Sequence, residues 1–106
     1  FKRVLVFGRT KHGVEKLCKK LVQNKHRAES IHGNKSHGQR QRALQKFKNS
    51  EARILVATDV AARGLDIHNI SHVINFDLPM TYEDYVHRIG RTGRGELKGK
   101  ALTLIP

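Results

Sequence analysis

Short runs rich in Val and Ile alternate with stretches of helical spacing along the whole 106-residue chain, and that alternation restricts the fold more than any other feature. The runs are VLVF at 4–7, AESI at 28–31, RILVAT at 53–58, HVINF at 72–76 and ALTLI at 101–105. Each is short and bounded by polar or glycine-bearing segments, as buried strands are. Between the first two, TKHGVEKLCKKLVQNK sets Val14, Leu17, Cys18, Leu21 and Val22 at helical spacing, with Thr10 placed as N-cap. Between the second and third, SHGQRQRALQKFKNS puts Ala43, Leu44 and Phe47 on one face, with Ser36 as cap. A third helix, TYEDYVHRIGR, is expected to open at Thr81 after Pro79, its Glu83 and Asp84 suiting the positive end of the helix dipole. The pattern predicts an α/β fold: a mostly parallel sheet flanked by helices on both faces, with right-handed crossovers and binding groups gathered in loops at the strand C-termini.

No linker or internal repeat interrupts the pattern, so residues 1–106 are expected to form one domain. The chain begins two or three residues before a strand and ends directly after one, at Pro106, which suggests a piece of a longer protein. It has no run of about 18 apolar residues and no signal peptide, so no membrane partner is expected. A lone cysteine, Cys18, cannot form an internal disulfide, and its helical spacing marks it as a packed thiol. A soluble chain in a reducing, cytoplasmic setting is the expectation. The seven histidines, at 12, 26, 32, 37, 68, 72 and 87, show no metal-ligand spacing with the cysteine, and no zinc is expected.

Charge is distributed unevenly. Residues 1–50 hold 14 Lys and Arg against 2 Glu, whereas residues 51–106 hold 7 basic against 7 acidic, so the whole excess of +12 lies in the first half. Such a field attracts polyanions through counterion release, or it serves only as a solvated basic face.

Two loops carry candidate chemistry. After RILVAT, the segment DVAARGLD offers the Thr58 hydroxyl, small residues at 61 and 62, Gly64 and Asp66. Small residues let a backbone approach a ligand, a threonine hydroxyl with nearby N–H groups suits a phosphate oxygen, and a carboxylate suits a sugar hydroxyl. The same small residues could equally serve packing. In HRIGRTGR, Arg91 and Arg94 sit on the last helical turn and the glycine-bearing bend after it, where two guanidiniums can clamp one phosphate or make ordinary surface ion pairs.

Taken together, VLVFGRT, ATDVAARGLDI and YVHRIGRTGR resemble motifs IV, V and VI of the DEAD-box ATP-dependent RNA helicases, in the family's order and at about its spacing. The resemblance covers nearly the whole chain and is to the C-terminal, second RecA-like domain, a P-loop NTPase-type fold. RTKHG and IHGNKS are most similar to the bacterial RhlE-type subgroup. The resemblance implies roles for individual residues. Arg91 and Arg94 match the arginines that reach across an interdomain cleft to the ATP γ-phosphate and act in catalysis. His87 matches the histidine that couples the nucleotide to domain closure, and Arg63 one that supports the closed interface rather than a ligand. Asp66 would meet the ATP ribose, while Thr58 and Gly64 would hold RNA phosphates through a hydroxyl and a backbone N–H. Gly33, in the pair His32–Gly33, matches a backbone turn facing RNA, and a simple turn glycine is the other reading.

One departure concerns the family's Q-x-x-R pattern, whose arginine stands seven residues before a phenylalanine. Counting back from Phe47 gives Arg40, with His37 where glutamine is expected; Gln39 and Arg42 also read Q-x-x-R, two residues out of register. Arg40 is therefore assigned to an RNA phosphate, with Arg42 the neighbour that could replace it.

Absent are G-x-x-x-x-G-K-[ST] and D-E-A-D, the parts that hold nucleotide phosphates and Mg²⁺. The resemblance thus implies half of an active site, with Mg²⁺ held mainly by the N-terminal RecA-like domain of the same protein and no ATP hydrolysis by this domain alone. Contacts to phosphate and sugar imply little sequence preference. Two rival readings are a non-catalytic RNA-binding module and a DNA helicase of the same superfamily.

Overall fold

The computed structural model describes residues 3–63, 65, 67, 70–76 and 100–103. The elements are β1 (Val4–Gly8), α1 (Lys11–Gln23), β2 (Ala28–Ile31), α2 (His37–Lys48), β3 (Ile54–Thr58), α3 (Asp59–Ala62), β4 (His72–Asn75) and β5 (Lys100–Thr103). The strands form one parallel sheet in the order β2-β3-β1-β4-β5. The third helix expected from Thr81 lies outside the described residues. So do Gly64, Asp66, His87, Arg91 and Arg94.

Side chains of successive strand residues point to opposite faces, and both faces are apolar. Leu5 and Phe7 of β1, Leu55 and Ala57 of β3 and Val73 of β4 pack with Ala43, Leu44 and Phe47 of α2 and with Ala62 of α3. Val4, Val6 and Val56 face the other way, onto Val14 and Cys18 of α1. Phe47 is 0% exposed, a burial that contributes about 1.5–3 kcal/mol. The helices lie on opposite faces because the connection from β1 to β2 travels outward past β3 while that from β2 to β3 travels back, and crossovers keep one hand.

Local chemistry sets the helix ends. Thr10 caps α1, its hydroxyl accepting from the Gly13 N–H at 3.0 Å. A Cβ at Gly13 would stand 3.0 Å from that hydroxyl, a tight approach that glycine avoids. Ser36 caps α2 in a reciprocal pair: its hydroxyl accepts from Gln39 N–H at 3.1 Å, and the Gln39 carboxamide accepts from Ser36 N–H at 2.8 Å. Both helices end in the same turn. After α1, Lys25 N–H reaches Val22 C=O and His26 N–H reaches Leu21 C=O; after α2, Ser50 N–H reaches Phe47 C=O and Glu51 N–H reaches Lys46 C=O. That turn puts one residue in the left-handed region, where glycine is unstrained. Here the residues are Lys25 at φ 67° and Ser50 at φ 62°, each at a cost of about 1–2 kcal/mol.

The segment after β3 differs from its sequence expectation. Asp59–Ala62 is one turn of helix, not an open loop, capped by Thr58 with its hydroxyl 3.4 Å from Ala61 N–H. Ala62 is buried in the core and Ala61 packs against it, so the small residues at 61 and 62 do serve packing.

Candidate functional site

In a sheet of this order the loops after β1 and β3 leave toward opposite faces. In open sheets such a divergence marks the C-terminal edge at which ligands bind. Gly8 and Thr58, the last residues of β1 and β3, are register partners at that point. Thr58 is half-buried, and because its hydroxyl accepts from Ala61 N–H its own proton is left to donate outward.

Beside Thr58, the β2–α2 loop is held by a polar network. Buried His32 accepts from Asn34 N–H at its Nδ1 (3.2 Å), which leaves the Nε2 proton to bond Glu15 Oε1 at 2.8 Å. Ser30 donates to the same Glu15 oxygen at 3.0 Å, and Lys35 Nζ lies 3.7 Å from it. The His32 hydrogen bond, with those from Ser30 and the Lys35 charge, holds the Glu15 carboxyl below its ordinary range against the opposing effect of burial. Lys11 at the start of α1 donates to Asn34 Oδ1 at 3.1 Å, fastening the loop a second time. Gly33 is the exposed residue inside this braced turn. Its φ is outside the left-handed region and nothing lies within 4 Å of where a Cβ would be. No demand of the fold explains the glycine.

Arg40 and Arg63, 23 positions apart in sequence, line one groove of about 230 Å³ with His37, Ala61 and Leu65. Arg40 is half-buried, and its Nε is buried with no hydrogen-bond partner. Arg42 does not line that groove; it is exposed and its Nη1 lies toward Gly38. Gln39, the glutamine of the out-of-register Q-x-x-R, spends its carboxamide on the α2 cap.

Of the residues singled out in the sequence, the described ones thus gather along one edge: Gly33, Arg40, Thr58 and Arg63. Glu15, His32 and Lys35 were not foreseen as a unit. Among the described residues no group of three or more His, Cys, Asp and Glu could hold a metal, and no helix is long and apolar enough to cross a membrane.

Residues 1–96 match the helicase conserved C-terminal domain family. The chain is similar in structure to the DEAD-box protein SrmB of E. coli, solved in complex with regulator of ribonuclease activity A, at 40% identity over 98% of this chain and 61% of that one, with a TM-score of 0.91. It is similar to a DEAD box protein of Methanococcus jannaschii at 45% identity over 97% of this chain and 28% of that one (TM-score 0.90). S. cerevisiae Dbp5, solved with RNA and ADP BeF3, shares 35% identity over 97% of this chain and 28% of its own (TM-score 0.86).

Proposed function

The chain belongs to the helicase conserved C-terminal domain family, with the RecA-like fold of its DEAD-box members, and from that premise we propose that it is the second RecA-like domain of an ATP-dependent RNA helicase, nearest the RhlE-type subgroup. The observation that carries this reading is the convergence of Gly33, Arg40 and Thr58 on the C-terminal edge of the sheet. One gives backbone without a side chain, one a guanidinium unpaired among the described residues, and one a hydroxyl proton, and together they suit successive phosphates of a strand. The preformed loop supports it: the bonds to His32, Glu15 and Lys11 fix Gly33 before any ligand arrives, so little ordering cost is left for binding. RNA and an ADP BeF3 group are bound together in Dbp5, and the same pairing of RNA with an adenine nucleotide is the one proposed here.

In this reading RNA and ATP join the domain to an N-terminal RecA-like partner domain. Thr58 and Gly64 hold RNA phosphates, Asp66 meets the ATP ribose, and His87 and Arg63 serve the closed interface. Arg91 and Arg94 place charge against the γ-phosphate, where it matters most in the transition state. The domain alone completes no active site.

Replacing Arg91 or Arg94 by alanine in the intact protein should cut RNA-stimulated ATP turnover by ~10³-fold or more. ATP binding should weaken far less, and melting should stay within a few degrees of the parent. Arg91→Lys should rescue poorly, since an ammonium lacks the two-pronged geometry of a guanidinium. Steady-state ATPase assays at saturating RNA, beside thermal melts, check this; near-normal turnover, or a collapsed melting temperature, would sink the reading. Stimulation by DNA in place of RNA would move the assignment to the DNA helicases.

A further inference from the structure

The C-terminal edge uses little of the domain's positive charge. α1 begins at the C-terminal edge, beside the Gly33 loop, and runs back to the opposite edge of the sheet. Lys16, Lys19 and Lys20, at helical spacing i, i+3 and i+4, are exposed on it, and among the described residues none is paired with a carboxylate. Where α1 ends, Lys25, Arg27 and Arg53 line a hollow of about 320 Å³ at the N-terminal edge of the sheet. Three carboxylates border this face, one of which, Glu51, shares a groove with Arg27 and Glu29. Glu15 is turned inward to His32 and Ser30, and Glu29 lies in the groove shared with Lys19 and Lys35.

Lys25 supplies an independent observation. It occupies the one left-handed position of the turn after α1, where glycine would be unstrained, and it carries a charge instead. Ser50 holds the same position after α2, so the turn tolerates a side chain, and at Lys25 that side chain sets a cation in the hollow with Arg27 and Arg53.

We propose that the outer face of α1, from Lys16 through Lys20 to Lys25 and Arg27, is a second track for the phosphodiester backbone of RNA, holding the part of the strand that lies beyond the cleft. The inference rests on the proposed RNA-binding function. The geometry suits it: the helical part of the track, from Lys16 to Gln23, extends about 12 Å, and Lys25 and Arg27 carry it on to the N-terminal edge of the sheet. The track continues from the C-terminal edge, because Lys11 and Lys35 flank the Gly33 loop at its upper end. Its cations outnumber the side chains that could read a base, Gln23 and His26, so it adds affinity chiefly with RNA length.

The test uses the intact protein with a short single strand that only the cleft can hold and one several times longer. With Lys16, Lys19 and Lys20 all changed to Gln, affinity for the long strand should fall ~10-fold or more at low salt, and its logarithmic salt dependence should flatten by about 2. Affinity for the short strand and its stimulation of ATPase should be unchanged. Lys25→Gly should move two readouts in opposite senses, raising the melting temperature by relief of strain while weakening the long strand. Equal losses on both strands, no gain of affinity with length in the parent, or Lys25→Gly lowering stability would overturn the track. Retained length dependence with lost binding of polyglutamate would reassign the face to an acidic protein partner. Failure of the parent to bind even the short strand would instead overturn the RNA reading on which the proposal stands.

Discussion

Arg40 has a buried Nε without a hydrogen-bond partner, and Gly33 has open space where a Cβ would stand. Arg40 shares its groove with Arg63, while Arg42, two positions on, lies along the exposed side of α2 toward Gly38. In the intact protein Arg40→Ala should therefore weaken RNA binding in the ATP state about tenfold, on the order of one lost charge-assisted bond, and leave nucleotide binding nearly intact. Arg42→Ala should do much less, and fluorescence titrations of a labelled strand would show the opposite ranking if the register were wrong. Gly33→Ala separates fold from function more sharply. With open space for the Cβ and no left-handed φ, the substitution should leave the melting temperature unchanged or slightly raised, since alanine restricts the unfolded chain. RNA affinity should still drop, because a methyl group then stands where a phosphate approaches. A fall in stability without a fall in affinity would return Gly33 to the role of a turn residue. Counting back from Phe47 chose Arg40 but left Arg42 as its possible replacement, because both sit on the same helix; the packing of α2 on the sheet puts Arg40, and not Arg42, in the groove beside α3.

Among the elements, α1 and the β2–α2 loop are joined by a carboxylate, and this makes their union depend on acid. Glu15 has its pKa lowered in the folded state, chiefly by the His32 hydrogen bond. A carboxyl of this kind stabilises the fold fully above the ordinary glutamate value, and the contribution is lost as pH falls through the lowered one. Thermal melts from neutrality down to about pH 3 should therefore show an acid limb that Glu15→Gln flattens below about pH 5. A parallel displacement of the whole profile would mean that the carboxylate acts only as a spacer. The elements themselves were largely legible beforehand: the runs at 4–7, 28–31, 53–58 and 72–76 fall within a residue of β1 to β4, and Thr10 and Ser36 are the caps. α3 was not, because four residues with small side chains carry no helical period and Thr58 alone hinted at a cap. Nor was the Glu15–His32–Lys35 network, since periodicity tells which residues turn inward and not which polar groups meet across 17 or 20 positions.

For the whole molecule, an uneven charge and an incomplete site work together. The excess of +12 lies in residues 1–50, which supply β1, α1, β2 and α2 and so carry it onto both faces of the sheet. One domain offers part of a phosphate track, so on its own it should bind a short single strand weakly, with an affinity that falls steeply as salt rises. Filter binding across a salt series checks this, and a tight, salt-insensitive complex would place the binding surface elsewhere. The strand order also governs how the chain reaches this state. β1 and β2 are not neighbours; each finds its partner in β3, Val4 opposite Ile54 and Ala28 opposite Ile54 as well. No ladder can be closed by a short turn, and within residues 1–53 neither β1 nor β2 has a strand to pair with. The first half must therefore wait as an open chain whose like charges hold it apart, and contacts this remote in sequence make for slow folding. Salt, which loosens the finished domain's hold on a polyanion, should help the unfinished one to close.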